Sequence, residues 1–182
     1  MVKMMESKEK LISTSKFLSY VLRHRPEKIG ITLDEQGWVS IEELIEKSKI
    51  SMPLLEEVVA TNDKKRYEFN SDKSKIRACQ GHSINIDLSL SPKKPPTWLY
   101  HGTQRHLLDS IIAKGLIRGK RNHVHLSIDK ETAFKVGSRH GRDTIILTIM
   151  AEEMSQDGHK FYLSSNEVWL TDDVPPEYIK EK

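Results

Sequence analysis

With 182 residues, 37% of them hydrophobic, the chain can build one sizeable domain or two small ones. Lysine and arginine number 29 against 26 aspartates and glutamates, a net charge of +3, which permits a polyanionic partner without demanding one. The single cysteine, Cys79, excludes an internal disulfide; no apolar run reaches membrane-spanning length, and Met1 to Lys10 lacks the apolar core of a signal peptide, so a cytoplasmic protein is expected.

Ser13 to His24 has helical spacing, with Leu11, Phe17, Leu18, Val21 and Leu22 on the apolar side and Ser13 or Ser15 as caps. Pro26 stops that helix and leaves Arg23 and His24 at its C-terminal end, where cations also serve as ordinary dipole partners. Asp34 to Gly37 is a turn signal before Trp38-Val39. Ser40-Ile41-Glu42-Glu43 has a capping-box pattern and opens a helix over Ile41 to Lys47. Ser51 caps a further helix, to Asn62, with Pro53 in its first turn. Arg66 to Phe69 and Lys75 to Cys79, around a turn at Asn70 to Asp72, form a hairpin. Three helices and a hairpin are winged-helix-like, and that lobe spans 1–90.

Residues 91–96, with three prolines and two lysines, are the expected linker to a second lobe at 97–182. There Trp98 to Tyr100 reads as a strand ending at His101-Gly102-Thr103. Arg105 to Lys114 reads as a helix with Leu107, Leu108, Ile111 and Ile112 on one face and Gly115 as its cap. Arg121 to Ser127 is the next strand, Lys130 to Val136 a short helix, and Thr144 to Met150 a buried strand. Phe161 to Leu163 and Val168 to Leu170 add short strands, and Val174-Pro175-Pro176 closes the fold. The fold class is α+β.

Period-two spacing puts Arg121, His123, His125 and Ser127 on one strand face, which either solvent or a ligand must cover. His123 and His125 face one way, as zinc ligands would, and His101, His82, His106 or His140 could supply a third nitrogen. Cysteine ligands and a His-Glu-x-x-His pattern are lacking, so no metal is expected. Arg23, Arg66, Arg121 and Arg139 form a second constellation, because a guanidinium fork matches phosphate oxygens two at a time. Cys79-Gln80-Gly81-His82-Ser83 reads as a turn, and Tyr100-His101-Gly102-Thr103 puts a histidine where ligand sites gather.

Leu22-Arg23-His24-x-Pro26, Arg66-Tyr67, Gln80-Gly81-His82-Ser83, Tyr100-His101-Gly102-Thr103, Arg121-x-His123-Val124-His125-Leu126-Ser127, Val136-Gly137-x-Arg139 and Asn166-x-Val168-Trp169-Leu170 occur in that order. Together they resemble the NAD-dependent RNA 2′-phosphotransferases, over roughly residues 13–180. The resemblance implies an N-terminal winged-helix lobe, a C-terminal ADP-ribosyltransferase-like lobe and an active site in the cleft between them. It implies NAD as a consumed co-substrate and RNA bearing an internal 2′-phosphate as the partner, with a monomer expected.

By the same resemblance, Arg23, His24, Arg66 and Arg121 are the catalytic set, His24 handling protons in the second step. His101, Gly102, Thr103, His125, Leu126, Ser127, Arg139 and Val168 bind NAD. Val168 stands where related enzymes carry a catalytic glutamate; strand alternation would turn its neighbour Glu167 to the opposite face. A 2′-phosphate is already an anion and needs alignment and charge neutralisation more than activation. Other readings are ADP-ribosylation of a different phosphorylated end, such as a 5′-phosphate, and a non-catalytic nucleic-acid-binding module.

Overall fold

The structure, a computed structural model, describes residues 2–62 and 64–181, excluding the side chains of residues 2–7 and 140. Met1 and most side chains of the N-terminal segment read for a signal peptide therefore lie outside the described residues, as does the His140 side chain. The protein is mixed helix and sheet, as the α+β reading expects, in two compact units, Met1–Ser89 and Leu90–Lys182.

The first unit begins with α1, Val2–Arg23. Thr14, Leu18, Val21 and Leu22 are its buried positions, one face at helical spacing. Because α1 starts earlier than its apolar pattern does, Ser13 is no cap. It lies mid-helix, where its hydroxyl donates to the Lys10 carbonyl at 3.0 Å. After Arg23 the chain enters a short 3-10 turn, Pro26–Lys28.

Helix α2, Ile41–Ser48, is capped by Ser40, whose hydroxyl accepts the Glu43 N–H. The capping box does not close: the Glu43 carboxylate accepts from the Thr32 N–H at 2.9 Å and ties down the preceding loop. Helix α3, Met52–Ala60, follows Ser51, which gives no side-chain cap bond.

A three-stranded antiparallel sheet completes the unit. Its strands are β1 (Val39–Ser40), β2 (Tyr67–Phe69) and β3 (Lys75–Ala78), in the order β1-β3-β2. Tyr67 pairs with Ala78 and Phe69 with Ile76, while Val39 meets Ile76 from the other side. Leu18, Leu22, Leu44, Leu55 and Ile76, all fully buried, join the helices to this sheet.

Residues 91–96, expected as a linker, are grouped with the second unit. The Lys93 N–H donates to the Phe161 carbonyl at 2.8 Å, Pro95 is buried, and Lys94 pairs with Glu152 at 3.0 Å.

In this unit β4 (Leu99–Gln104) runs through His101, Gly102 and Thr103 instead of ending at them. The chain continues through a 3-10 turn, Arg105–Leu107, into α4 (Leu108–Lys114). Strand β5 is only Val124–Leu126, and α5 is Lys130–Gly137, capped by the Asp129 carboxylate on the Thr132 N–H. Then come β6 (Thr144–Ile149), α6 (Ala151–Gln156), β7 (Phe161–Leu163), β8 (Trp169–Thr171) and β9 (Ile179–Glu181).

Two antiparallel sheets result, β4-β6-β9 and β5-β8-β7. Tyr100 and Ser127 exchange backbone hydrogen bonds at 2.9 and 2.8 Å and so join one sheet to the other. Leu99, Leu126, Leu147, Ile149, Met154 and Phe161 fill the core. Helix α4 buries Ile111, but Leu107 and Ile112, expected on the same buried face, are 44% and 54% exposed. Leu107 lies in the 3-10 turn before the helix, and Ile112 is one residue, about 100° of rotation, past the buried Ile111.

Gly102 explains how α5 meets β4. A Cβ on Gly102 would lie 1.9 Å from the Ala133 carbonyl oxygen, and one on Gly137 would lie 2.7 Å from the Gly102 carbonyl carbon. Strand and helix backbones touch there, which only glycine permits.

Candidate active site

In the first unit the end of α1 gathers cationic side chains. Pro26 forces the chain out of the helix just after Arg23 and His24, so both lie on its last turn or just past it. The Gly81–Ser83 loop packs against that end. The Ser83 N–H donates to the Arg23 carbonyl at 3.0 Å, and Ser83 Oγ lies 2.8 Å from His24 Nδ1. Gly81 has φ +88°, a left-handed turn that lets the loop double back beneath the Arg23 guanidinium.

Arg23 Nη2 donates to the Arg66 carbonyl at 3.4 Å, which brings Arg66 beside it. The Arg66 backbone N–H and Nη1 donate to Asn62 Oδ1 at 3.3 and 3.1 Å. Asn62 Nδ2 in turn donates to Ser15 Oγ at 3.0 Å, so Arg66 is buttressed from α1. The Tyr67 hydroxyl contacts Ser15 and Ser19 on the same helix.

Arg66 is held by a neutral amide and by no carboxylate among the described residues. Its charge is therefore available to an anion. The sequence gives Ser15 as a possible helix cap, Asn62 as a helix end and Ser83 as a motif residue, but none of the three as a brace of the site. Their contribution is hydrogen bonding between distant segments, and nothing in their spacing signals it.

His82, next to this cluster, is 2% exposed, and its Nε2 has no hydrogen-bond partner among the described residues. Burial, reinforced by the charges of Arg23, His24 and Arg77, lowers its pKa to about 4, so it is neutral at physiological pH.

In the second unit, three residues of the sequence-expected set converge. His101 Nδ1 lies 3.0 Å from the His125 carbonyl and therefore donates to it. Arg121 Nη1 donates to His125 Nδ1 at 3.4 Å. Burial lowers the His101 pKa; the His125 carbonyl opposes that shift and the Arg121 charge adds to it. A neutral His101 with a protonated Nδ1 leaves Nε2 as an acceptor.

The other expected residues fall in different places. Leu126 and Thr103 are 1% and 7% exposed, so their side chains belong to the interior. Gly102 meets α5, as described above, and Ser127 spends its backbone groups on Tyr100. Arg121 precedes β5 instead of lying on it, with its N–H on the Arg118 carbonyl, so the single polar strand face does not form.

Val168 and Glu167 sit in the turn before β8. Ser164 Oγ accepts the Val168 N–H at 3.0 Å, and Glu167 has φ +62°, so strand alternation does not relate the two. Arg139 is exposed on the 3-10 turn Ser138–His140 after α5. His123 packs edge-on against Tyr162 at 5.7 Å and is held below its usual pKa first by burial. Among the described residues, no cluster of three or more histidine, cysteine or acidic side chains is arranged to hold a metal ion.

One unit has a helix end that collects guanidinium and imidazole groups, and the other a half-buried histidine whose pKa is lowered. Comparison with known proteins places the chain in a family. Residues 9–173 match the family described as RNA 2′-phosphotransferase, Tpt1 / KptA family. A probable RNA 2′-phosphotransferase of Flavobacterium johnsoniae is 56% identical, covering 93% of this chain and 96% of its own length. Proteins of the same name from Rhodopirellula baltica and Escherichia coli are 54% and 49% identical, each covering 96% of this chain and 98% and 97% of their own lengths. The chain belongs to the RNA 2′-phosphotransferase, Tpt1 / KptA family.

Proposed function

We propose that this protein removes an internal 2′-phosphate from RNA by transferring it to NAD. The observation that carries the reading is the gathering of Arg23, His24 and Arg66 at the end of α1. Guanidinium forks there suit a dianionic phosphate, and His24 beside Ser83 suits proton transfer.

NAD falls to the second unit. Neutral His101, with its acceptor Nε2, fits a ribose hydroxyl, and Arg121 on His125 adds positive charge near that pair. Thr103, Leu126 and Ser127 would give the NAD site its shape. Val168 would leave an apolar wall where related enzymes have a carboxylate, and the exposed Arg139 would reach a phosphate. In this reading the first unit, with three helices and a β2–β3 wing, is a winged-helix lobe, and the second is ADP-ribosyltransferase-like.

The reaction has two steps. An oxygen of the RNA 2′-phosphate bonds to the anomeric carbon of the nicotinamide ribose, and the bond to nicotinamide breaks with its electron pair going to the ring nitrogen. The adjacent ribose hydroxyl then attacks phosphorus, losing its proton, and the RNA 2′-oxygen leaves and takes up a proton. The products are 2′-hydroxyl RNA, nicotinamide and ADP-ribose 1″,2″-cyclic phosphate. Arg23, Arg66 and Arg121 stabilise charge on the transferring phosphate, and His24 supplies or removes the protons of the second step.

No helix among the described residues is long and apolar enough to cross a membrane. A cytoplasmic monomer acting on RNA completes the reading. The test is nicotinamide release from NAD in the presence of an internally 2′-phosphorylated oligonucleotide. Release is expected with that substrate. Release with a 5′-phosphorylated oligonucleotide alone would move the activity to phosphorylated ends, and release with neither would leave a binding module.

A further inference from the structure

A groove of about 560 Å³ runs between α1 and the end of α3 in the first unit. Its floor is apolar, from Leu11, Ile12 and Val58, and its charged rim is Lys8, Lys16 and Arg66. No acidic residue lines it among the described residues. Lys8, Ile12 and Lys16 recur every four residues along α1 and so form one stripe, all exposed, with Ile12 48% accessible.

Neither lysine is drawn into an ion pair within the described fold. At one end the groove reaches Arg66 and its Asn62 brace, which the reading above places on the 2′-phosphate. The same groove is therefore continuous with the phosphate site.

We propose that this groove holds the RNA strand flanking the 2′-phosphate, with Lys8 and Lys16 on backbone phosphates and the Leu11–Ile12 floor beneath a base or ribose. The proposal rests on the reading of Arg66 as a phosphate ligand. Charge decides the occupant: a cationic rim without carboxylates selects a polyanion. An apolar floor beside the rim suits the flat faces of unpaired nucleotides, whatever their sequence. The protein would touch phosphates and stacked faces, so the strand is positioned rather than read.

The test is fluorescence anisotropy of two labelled RNAs without NAD: a dinucleotide bearing an internal 2′-phosphate, and an octanucleotide with the same group at its centre. For Lys8→Glu/Lys16→Glu, octanucleotide affinity should fall about tenfold or more. Its slope against log salt should become shallower by about 1.4, the change expected when two lysines no longer neutralise phosphates of a single strand. Dinucleotide affinity should stay within about twofold, and Lys8→Arg/Lys16→Arg should bind the octanucleotide as wild type does.

Equal octanucleotide affinity in the Glu variant and wild type would overturn the proposal. An equal loss for both RNAs would also overturn it. Both lysines are exposed, so thermal melting should not change. If wild type releases no nicotinamide with either RNA but the octanucleotide difference persists, the catalytic reading fails and the groove stands.

Discussion

The end of α1 and the β4–β5 region solve opposite electrostatic problems. At the end of α1, Arg66 is held by a side-chain amide, a neutral partner that leaves its charge in place, and Arg23 reaches a backbone carbonyl. Between β4 and β5 the histidines are drawn inward, and burial keeps His101 neutral. In the proposed reaction, which joins a phosphate to a ribose, the first region meets the anion and the second offers a neutral acceptor. Substitutions that affect one kind of region and spare the other test that contrast.

The largest effect should come from the cationic end. Arg23→Ala should lower turnover about 10³-fold, as expected when a preorganised charge on a transferring phosphate is removed. Arg105→Ala, whose guanidinium is 58% exposed and pairs with Asp143, is the control and should change little. Equal losses in the two variants, measured in single turnover, would erase the distinction between the α1 end and an ordinary surface arginine. His24→Ala should instead accumulate ADP-ribosylated RNA, because the step proposed for it is the second.

Next in size is a structural effect confined to the second unit. Gly102→Ala puts a methyl group against the Ala133 carbonyl, and strand and helix must separate. A loss of about 3 kcal/mol is expected in denaturant unfolding. Gly30→Ala, at φ +69° with no atom near the new methyl group, should cost about 1 kcal/mol. Equal costs would mean that α5 does not rest on β4 as described.

An effect of at most similar size, confined to acid conditions, is a pH dependence in the first unit. His82 has a folded-state pKa near 4 against an ordinary value of 6.5. The unfolded chain therefore binds the proton first as pH falls. Stability from the neutral His82 is complete above about 6.5 and is lost as pH drops toward about 4, a swing of roughly 3 kcal/mol at most. His101 and His123 are shifted in the same direction and steepen the acid side. His82→Gln should flatten the stability profile between those pH values; an unchanged profile would assign the acid sensitivity to other groups.

Much of this architecture was legible in the sequence. The apolar spacing of Leu18, Val21 and Leu22, the stop at Pro26, the hairpin around Asn70 and the apolar run Ile145 to Ile149 each follow from local rules that the fold obeys. What was not legible depends on packing between distant segments. Ser13 looks like a cap because α1 has no apolar pattern before Leu11, yet the helix continues upstream of it. Helix α6 and strand β9 are short elements that take their shape from packing and pairing with their neighbours.

The same division applies to the site. Arg23, His24 and Arg66 were visible as residue types in family motifs. The bracing by Asn62 and Ser83 was not, because it joins residues 47 and 59 positions apart or bridges a turn. Period-two alternation misplaced Arg121, since β5 begins only at Val124. Gly102 was visible as a motif residue, but the close approach of the α5 backbone to it was not.

The central claim is that NAD, and not water, accepts the phosphate. The most direct measurement follows a radiolabelled internal 2′-phosphate on RNA in single turnover, with and without NAD. The label should leave the RNA only when NAD is present, with one nicotinamide released per label, and should end in ADP-ribose 1″,2″-cyclic phosphate. Release of the label as inorganic phosphate without NAD would contradict the account.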